Sequence, residues 1–386
     1  MEVSHIMFAL LRSEINGTEL CEEVKNLITP EILPVLFKHS KKHDLAHLIG
    51  DVLDKNALLP NESEQKRHFL QERNMAFYRY EQINYELGEA CCILEENKIK
   101  HVPLKGSVLR KYYSEPWMRT SCDIDILVKR EDLQTAIEAL QASGFKYEAM
   151  HSHDAQMWAP SGVHLELHFD LIESDVVEKS AQKLLQAWER VYPCDGYEYT
   201  LRFDDAFFYF YHIAHMAKHF LQGGCGIRPF IDIWILKQHG SFCVEGVKDL
   251  LKQADLWKFA ENAEQLANIW FGDGAHNETT RQMEDFILQG GAYGTLEQQV
   301  AISQNKIGGK LKHLLSKIFL SYRAMLIYYP SLKKCPILYP IYQVRRWFRI
   351  AFCGGRKRAM YEMRLNQNLS RLKKESAKRL IDDLGL

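Results

Sequence analysis

The chain has 386 residues, enough for two or three domains, and its 46% hydrophobic and 26% charged residues are typical of globular proteins. No window reaches about 18 uninterrupted apolar residues, and the N-terminus lacks the basic and apolar regions of a secretory signal. The nine cysteines are scattered without a CxxC pair, which argues against a disulfide framework and a structural zinc site. We therefore expect a cytoplasmic globular protein.

The formal net charge of −1 conceals an asymmetry between the two ends of the chain. From Ala301 to Leu386 there are 19 Lys and Arg residues against 4 Asp and Glu, a net charge of +15, so residues 1–300 carry about −16. Residues 345–349 combine three arginines with Trp347 and Phe348, a mixture suited to a membrane surface or to stacked bases. We predict a basic helical C-terminal segment at residues 301–386. Its partner is a nucleic acid, an anionic membrane surface or an acidic partner, unless it is only a solvated helix face.

Ahead of that segment the chain divides into three regions by hydrophobic period. Residues 1–97 are predicted to form an N-terminal helical region that ends in a long helix over Glu72–Asn97. Residues 98–200 are predicted to form an α/β core, and residues 201–300 a helical domain that closes the cleft. The elements predicted for the core are a strand over Lys100–Leu104, a helix over Ser107–Tyr113, a strand over Cys122–Val128, a helix over Arg130–Ser143, and strands over Lys146–Met150 and Val163–Leu171.

Gly106 and Ser107 lie where the first of these strands runs into a helix. A pair of small residues there lets backbone N–H groups approach phosphate oxygens, and a helix N-terminus adds a favourable dipole. We expect this pair to hold the phosphates of a nucleotide. The alternative is an ordinary turn and helix cap.

Asp123 and Asp125 are two residues apart on a strand, so they project to the same face while Ile124 and Ile126 face the core. Two carboxylates this close repel each other unless a cation lies between them. Oxygen ligands of this kind suit Mg²⁺ or Mn²⁺. The pattern predicts a metal site, and the alternative is an edge strand with a solvated acidic face.

The last predicted strand carries three potential ligands on one face. We expect Glu166 to be the third metal carboxylate, with Asp170 in reserve and His168 beside the triphosphate or the acceptor. Histidines crowd the same stretch and raise zinc as an alternative, at His151, His153, His164 and His168 beside Asp154. The carboxylate-rich set favours the harder cation instead.

A second group of polar residues falls in the helical region after residue 200. His212, His215 and His219 share one face of a helix, and Arg228 and Asp232 lie four apart on the next helix. We predict that Arg228 and Asp232 contact the nucleotide as this layer closes the cleft. The alternative is a set of core histidines and an i,i+4 salt bridge.

In chain order these elements resemble the minimal nucleotidyltransferase fold, the superfamily of DNA polymerase β and the antibiotic nucleotidyltransferases. More narrowly, the runs LKGS, DIDILV, LELH and GIRPFIDI, with Arg119 four residues before Asp123, are similar to a bacterial family of uncharacterised nucleotidyltransferases over about residues 20–300. This resemblance implies an α+β fold, with a small mixed β-sheet core flanked by N-terminal and C-terminal helical regions. It also implies that Lys105 and Arg119 surround the phosphates.

The activity implied is a metal-dependent transfer of a nucleoside monophosphate from a triphosphate, with ATP as the expected donor, to an acceptor hydroxyl. The acceptor is a small molecule, a protein or an RNA end, and pyrophosphate is released. Asp123, Asp125 and Glu166 are then the catalytic residues that hold Mg²⁺ or Mn²⁺. Two alternatives stay open, namely phosphoryl transfer at the same site and a non-catalytic, nucleotide-binding regulatory module of the toxin–antitoxin kind.

Overall fold

The part of the chain that can be described contains every residue predicted for the site but only part of the basic C-terminal segment. The computed structural model describes residues 3–172, 178–240, 245–307, 315, 318–322, 325–326, 329–333, 335–352, 364 and 370–386. The predicted division into four regions at residues 97, 200 and 300 stays a prediction.

Five helices form the N-terminal part of the chain, as the helical period predicts. They are α1 (Val3–Asn16), α2 (Glu22–Asn26), α3 (Ile32–Lys42), α4 (Ala46–Lys55) and α5 (Glu64–Glu96). The last helix begins eight residues before its predicted start. The reason is an N-cap, because the Ser63 hydroxyl accepts a hydrogen bond of 3.1 Å from the Lys66 amide.

A mixed five-stranded sheet follows, and it confirms the expected α+β class. Its elements are β1 (His101–Pro103), α6 (Gly106–Leu109), β2 (Asp123–Val128), α7 (Leu133–Ala142), β3 (Lys146–Met150), β4 (Asp154–Trp158) and β5 (His164–His168). The strand order is β1-β2-β5-β4-β3, and β2 and β5 are parallel while the other neighbours are antiparallel. The prediction of two strands after α7 was wrong, because the chain forms three there.

Alternation along β2 and β5 divides the sheet into an apolar face and a polar face. Ile124, Ile126, Leu165 and Leu167 are buried in a cluster with residues of α5 and α7. The residues between them, including the predicted metal carboxylates, therefore lie on the opposite face. The sheet thus serves as core on one side and as the floor of a site on the other.

The chain after residue 177 is mainly helical, with one short two-stranded sheet that the sequence pattern does not predict. The elements are α8 (Glu178–Leu184), β6 (Val191–Pro193), β7 (Leu201–Phe203), α9 (Asp205–Leu221), α10 (Arg228–Gln238), α11 (Glu245–Gln253), α12 (Trp257–Phe271), α13 (Glu278–Gly290) and α14 (Leu296–Ile307). Strands β6 and β7 pair antiparallel over three residues each.

The N-terminal helices and the later helices share one large hydrophobic core. At the contact of α1 with α12, the ring of Phe8 stacks on Trp270 with centroids 4.6 Å apart. The guanidinium of Arg12 donates to the carbonyl oxygens of Ile269 at 2.8 Å and Trp270 at 3.1 Å. These bonds satisfy carbonyl groups in the last turn of α12, which accept no hydrogen bond within the helix.

Two helices are described in the basic C-terminal segment, α15 (Tyr339–Phe352) and α16 (Arg371–Leu384). Leu380 and Leu384 of α16 are buried in the large core. α15 instead packs beside a small separate cluster around Met325, Tyr329 and Leu332. Of the helices that the structure describes, none combines the length and the apolarity needed to cross a bilayer.

Burial makes the stability of this fold sensitive to acid. It lowers the pKa of five histidines, and that of His43 falls to about 4; the others are His47, His101, His212 and His215. Each binds a proton near pH 6.5 when unfolded but resists it when folded. The unfolded state therefore binds more protons, and these groups reduce the free energy of unfolding as the pH falls from about 6.5 towards 4.

We expect His43→Gln to weaken this pH dependence. At one pH unit below its pKa in the unfolded chain, a histidine that the fold keeps neutral reduces the free energy of unfolding by about 1.4 kcal/mol. The variant should therefore lose about 1 kcal/mol less free energy of unfolding than the natural chain between pH 7.5 and 5.5, in urea denaturation at both pH values. His5→Gln, at an exposed position, is the matched control. If the natural chain and His43→Gln lose the same free energy of unfolding between these pH values, His43 does not contribute to the acid sensitivity.

Candidate functional site

A cavity of about 390 Å³ lies between the polar face of the sheet, the start of α6 and helices α9 and α10. Its volume falls in the range of about 300–1,000 Å³ that is usual for small-ligand sites. Eight residues that the sequence predicts for the site line it, namely Lys105, Gly106, Arg119, Asp123, Asp125, Glu166, Arg228 and Asp232. The structure thus brings together residues from two regions that are far apart in sequence.

The carboxylates at the floor are held in place by the pairing of β2 with β5. Asp125 lies directly opposite Glu166, and Asp123 lies opposite His164. Ligand atoms of Asp125, Glu166 and His168 all lie within 4.8 Å of one another, close enough to share one metal ion. Of the five residues named for the zinc alternative, only His168 belongs to this group.

Asp125 is the most strongly held of these carboxylates. Its Oδ1 atom accepts from the Lys105 ammonium and from the His168 Nε2 atom, each at 2.8 Å. Burial raises the pKa of Asp125, but the charge of Lys105 and the bond from His168 outweigh it and hold the pKa below its ordinary value. The side chain is therefore an anion at neutral pH.

Asp123 differs from Asp125 in having no such partners. Its half-buried carboxylate forms no hydrogen bond or ion pair with any residue that the structure describes. Burial and then repulsion from Asp125 raise its pKa. A carboxylate held in this way beside another one favours the arrival of a cation.

His168 and Asp170 are the two predicted site residues of the last predicted strand that do not line the cavity. His168 is buried behind Asp125 and does not line the cavity. Burial and the charge of Lys105 lower the pKa of His168, but its bonds to Asp125 and Glu166 outweigh them and raise it. Asp170 lies beyond β5, where its carboxylate accepts from the Ile172 amide at 2.9 Å, and it does not line the cavity either.

The backbone at the start of α6 is strained. Lys105 has φ +47° and ψ −122°, a conformation that costs a non-glycine residue about 1–3 kcal/mol. A Cβ atom added to Gly106 would lie 3.2 Å from the Cβ atom of Ser121, so glycine lets the chain pass close to the loop before β2. The buried Ser107 hydroxyl has no hydrogen-bond partner among the described residues.

A buried network joins the loop before β2 to helix α10. Arg119 donates to the Asp232 Oδ1 atom at 2.7 Å, and the Tyr113 hydroxyl donates to the same atom at 2.6 Å. Arg228 instead lies 3.3 Å from Asp44 and donates to the Thr120 carbonyl at 2.6 Å. The alternative of an i,i+4 salt bridge between Arg228 and Asp232 was therefore wrong, because both side chains pair with residues distant in sequence.

The cavity wall also contains residues that sequence reasoning did not find. His43 contributes from the end of α3, Ser121 from the loop before β2, and Tyr293 from the loop between α13 and α14. No motif surrounds His43 or Tyr293, and Ser121 lies between Arg119 and Asp123 without a signal of its own. The histidines of α9 do line the wall, as predicted for a helical layer over the cleft; they are His212, His215 and His219.

A family model described as an uncharacterised nucleotidyltransferase matches residues 32–272, more than half of the chain. The chain belongs to this nucleotidyltransferase family. No curated protein and no solved structure matches it significantly.

The matched region of the nucleotidyltransferase contains the whole five-stranded sheet and helices α9 and α10. It therefore includes all the predicted site residues, from Lys105 to Asp232. Tyr293, on the cavity wall, lies outside it. The family prediction is confirmed, whereas membership of the wider DNA polymerase β-like superfamily stays a prediction.

Proposed function

We propose that this nucleotidyltransferase transfers a nucleoside monophosphate from a nucleoside triphosphate, with ATP as the expected donor, to the hydroxyl of an acceptor. Pyrophosphate is the second product. The observation that carries the proposal is the convergence of Asp123, Asp125 and Glu166 at the floor of a cavity whose wall carries Lys105 and Arg119. Anionic ligands for a metal and cations for a polyphosphate thus line the same space.

The donor set fits a divalent cation with a preference for oxygen. The proposed ligands are Asp123, Asp125 and Glu166, and the absence of a described partner for Asp123 supports a cation there. Carboxylate oxygens suit Mg²⁺ or Mn²⁺. When bound, such ions neutralise the triphosphate oxygens and lower the pKa of the acceptor hydroxyl.

The protein's own residues bind and orient the substrates in this proposal. Lys105 and Arg119 offer positive charge to the phosphates, and the missing side chain of Gly106 lets the polyphosphate approach the backbone. Arg228 adds a third cation on the wall. His168 acts through Asp125, because its hydrogen bond fixes the orientation of that carboxylate.

In the reaction the acceptor oxygen forms a bond to the α-phosphorus while the bond to the bridging oxygen of pyrophosphate breaks. The protein forms no covalent bond, so positioning and charge neutralisation provide the acceleration. Helix α9 closes the other side of the cavity, and its histidines are the proposed contacts of the base or the acceptor. Of these, His212 lies with its Nε2 atom 3.2 Å from the Pro229 carbonyl oxygen.

The test follows each phosphate of the triphosphate separately. Purified full-length protein is incubated with cell extract, Mg²⁺ or Mn²⁺, and each of the four nucleoside triphosphates labelled at the α or the γ position. The comparison variants are Asp123→Asn/Asp125→Asn, in the site, and Asp170→Asn, a matched carboxylate outside the cavity. We expect α-label to enter a product with release of pyrophosphate in the natural chain and in Asp170→Asn, but not in the double variant.

The other outcomes have defined meanings. Transfer of γ-label would replace the proposal with phosphoryl transfer at the same site. Metal-dependent binding without transfer of either label would instead favour a regulatory nucleotide-binding module. Transfer of α-label that survives in the double variant would place the active site elsewhere.

A further inference from the structure

The outward side of helix α15 carries an apolar stripe. Ile341, Val344 and Phe348 lie on it, and Ile337 continues it into the preceding turn. These four side chains are between 43% and 83% exposed, and their spacing of four, three and four residues places them on one side of a helix. Single exposed apolar residues are common, but a continuous row of them marks a binding surface.

The orientation of α15 is set by contacts on its other side. Gln343 is buried, and its amide donates to the Leu320 carbonyl. The indole N–H of Trp347 donates to the Ile318 carbonyl at 2.7 Å. Because the hydrogen-bonding side chains face the protein, the apolar stripe is left on the surface.

Positive charge flanks the stripe. Arg345 and Arg349 of α15 are exposed beside it. Between residues 330 and 361 the sequence contains eight Lys and Arg residues and no Asp or Glu. An occupant of this surface must therefore offer negative charge next to apolar material.

We propose that the outward side of α15 binds the surface of an anionic lipid bilayer. A helix with an apolar side, flanking arginines and low overall hydrophobicity lies in the plane of such a surface, with its apolar side between headgroups and acyl chains. Anionic lipid phosphates supply the complementary charge. Single-stranded nucleic acid is a poorer fit, because it is bound by aromatic rings that stack on bases, and three of the four stripe residues are aliphatic.

The experiment is flotation of the full-length protein with vesicles of phosphatidylcholine alone or mixed with phosphatidylglycerol. We expect binding to the mixed vesicles and much less to the neutral ones. Ile341→Asp/Phe348→Asp should weaken binding by about tenfold or more, because it places charge in the apolar stripe. Leu185→Asp/Leu372→Asp is the matched control, since these leucines are as exposed but lie off α15, and its binding should not change.

A second variant separates loss of binding from loss of folding. Val344→Trp adds a large interfacial side chain to the stripe and should raise the affinity for mixed vesicles, while its circular dichroism spectrum stays that of the natural chain. Equal binding to neutral and mixed vesicles, or unchanged binding of the double aspartate variant, would overturn the proposal. Binding of an RNA oligonucleotide that needs the same residues and resists competition by vesicles would assign the surface to nucleic acid. None of these measurements uses a nucleoside triphosphate, so they are independent of the proposed transfer activity.

Discussion

Replacing Asp125 by asparagine is expected to reduce nucleotidyl transfer by about 10³-fold or more, the upper end of what loss of a single electrostatic group costs an enzyme. The substitution keeps the shape of the side chain but removes the charge that Lys105 and His168 hold in place. It also leaves the proposed cation with one anionic ligand fewer. The measurement is the initial rate of pyrophosphate release with the donor triphosphate and an acceptor identified in the extract assay.

The control for this prediction tests whether the effect belongs to the site. Asp170→Asn should keep most of the activity, since this carboxylate lies outside the cavity. Both variants should give the circular dichroism spectrum of the natural chain. An Asp125→Asn protein that folds and retains more than about a tenth of the rate, a loss below 1.4 kcal/mol, would remove Asp125 from the chemistry.

A metal-binding measurement distinguishes the proposed ligand set with Asp123 from the set in which His168 joins Asp125 and Glu166. If Asp123 is a ligand, Asp123→Asn should abolish the binding of Mn²⁺, which is measured by electron paramagnetic resonance. His168→Gln should weaken Mn²⁺ binding only about 10–100-fold, because losing a residue that orients a ligand reduces metal affinity less than losing the ligand itself. The reverse order would make His168 the ligand in place of Asp123.

Asp232→Ala is expected to lower the free energy of unfolding by about 3–5 kcal/mol. Asp232 is completely buried, and its carboxylate is the counter-charge of Arg119 and the acceptor for the Tyr113 hydroxyl. Removing it leaves a buried guanidinium without its counter-charge, which is one of the most damaging changes available to a core. Urea denaturation measures the change, and Asp249→Ala, at an exposed position of α11, is the control.

A double variant shows whether the loss of stability comes from the Arg119 charge that is left without a counter-charge. Asp232→Ala/Arg119→Met removes both ions and should recover a large part of the stability lost in Asp232→Ala. Transfer should not recover, since Arg119 is a proposed phosphate contact. If the double variant is less stable than Asp232→Ala, packing of the carboxylate rather than charge pairing explains the effect.

The carboxylate face could be predicted because alternation along a strand is a local property of the sequence. The pattern from Cys122 to Val128 shows that Asp123 and Asp125 share a face, and the structure has them on the floor of the cavity. Alternation alone does not select Glu166 as the third carboxylate, because Asp170 falls on the same face of the predicted strand. In the structure β5 ends at His168, so of these two carboxylates only Glu166 lies opposite a residue of β2.

The pairing of residues in the cavity wall could not be predicted, because the partners lie far apart in the chain. Arg119 and Asp232 are separated by 113 residues, and Arg228 lies beside Asp44. Such pairs leave no periodic signal, so the four-residue spacing of Arg228 and Asp232 gave a misleading local interpretation. His43 was missed for the same reason.

The missed strands have simpler explanations. β4 alternates polar and apolar residues, but the turn before it, at residues 151–153, contains no glycine or proline to mark a boundary. β6 and β7 have three residues each, too few to establish a period of two. In both places tertiary pairing defines the strand.

The contact of α1 with α12 has a consequence for synthesis of the chain. Phe8 and Arg12 leave the ribosome early, but Trp270, on which they pack, follows about 260 residues later. At about 5–20 residues per second this interval is about 10–50 s, during which part of the apolar surface of α1 has nothing to cover it. We therefore expect this side of α1 to stay accessible to chaperones on the ribosome until α12 has been made.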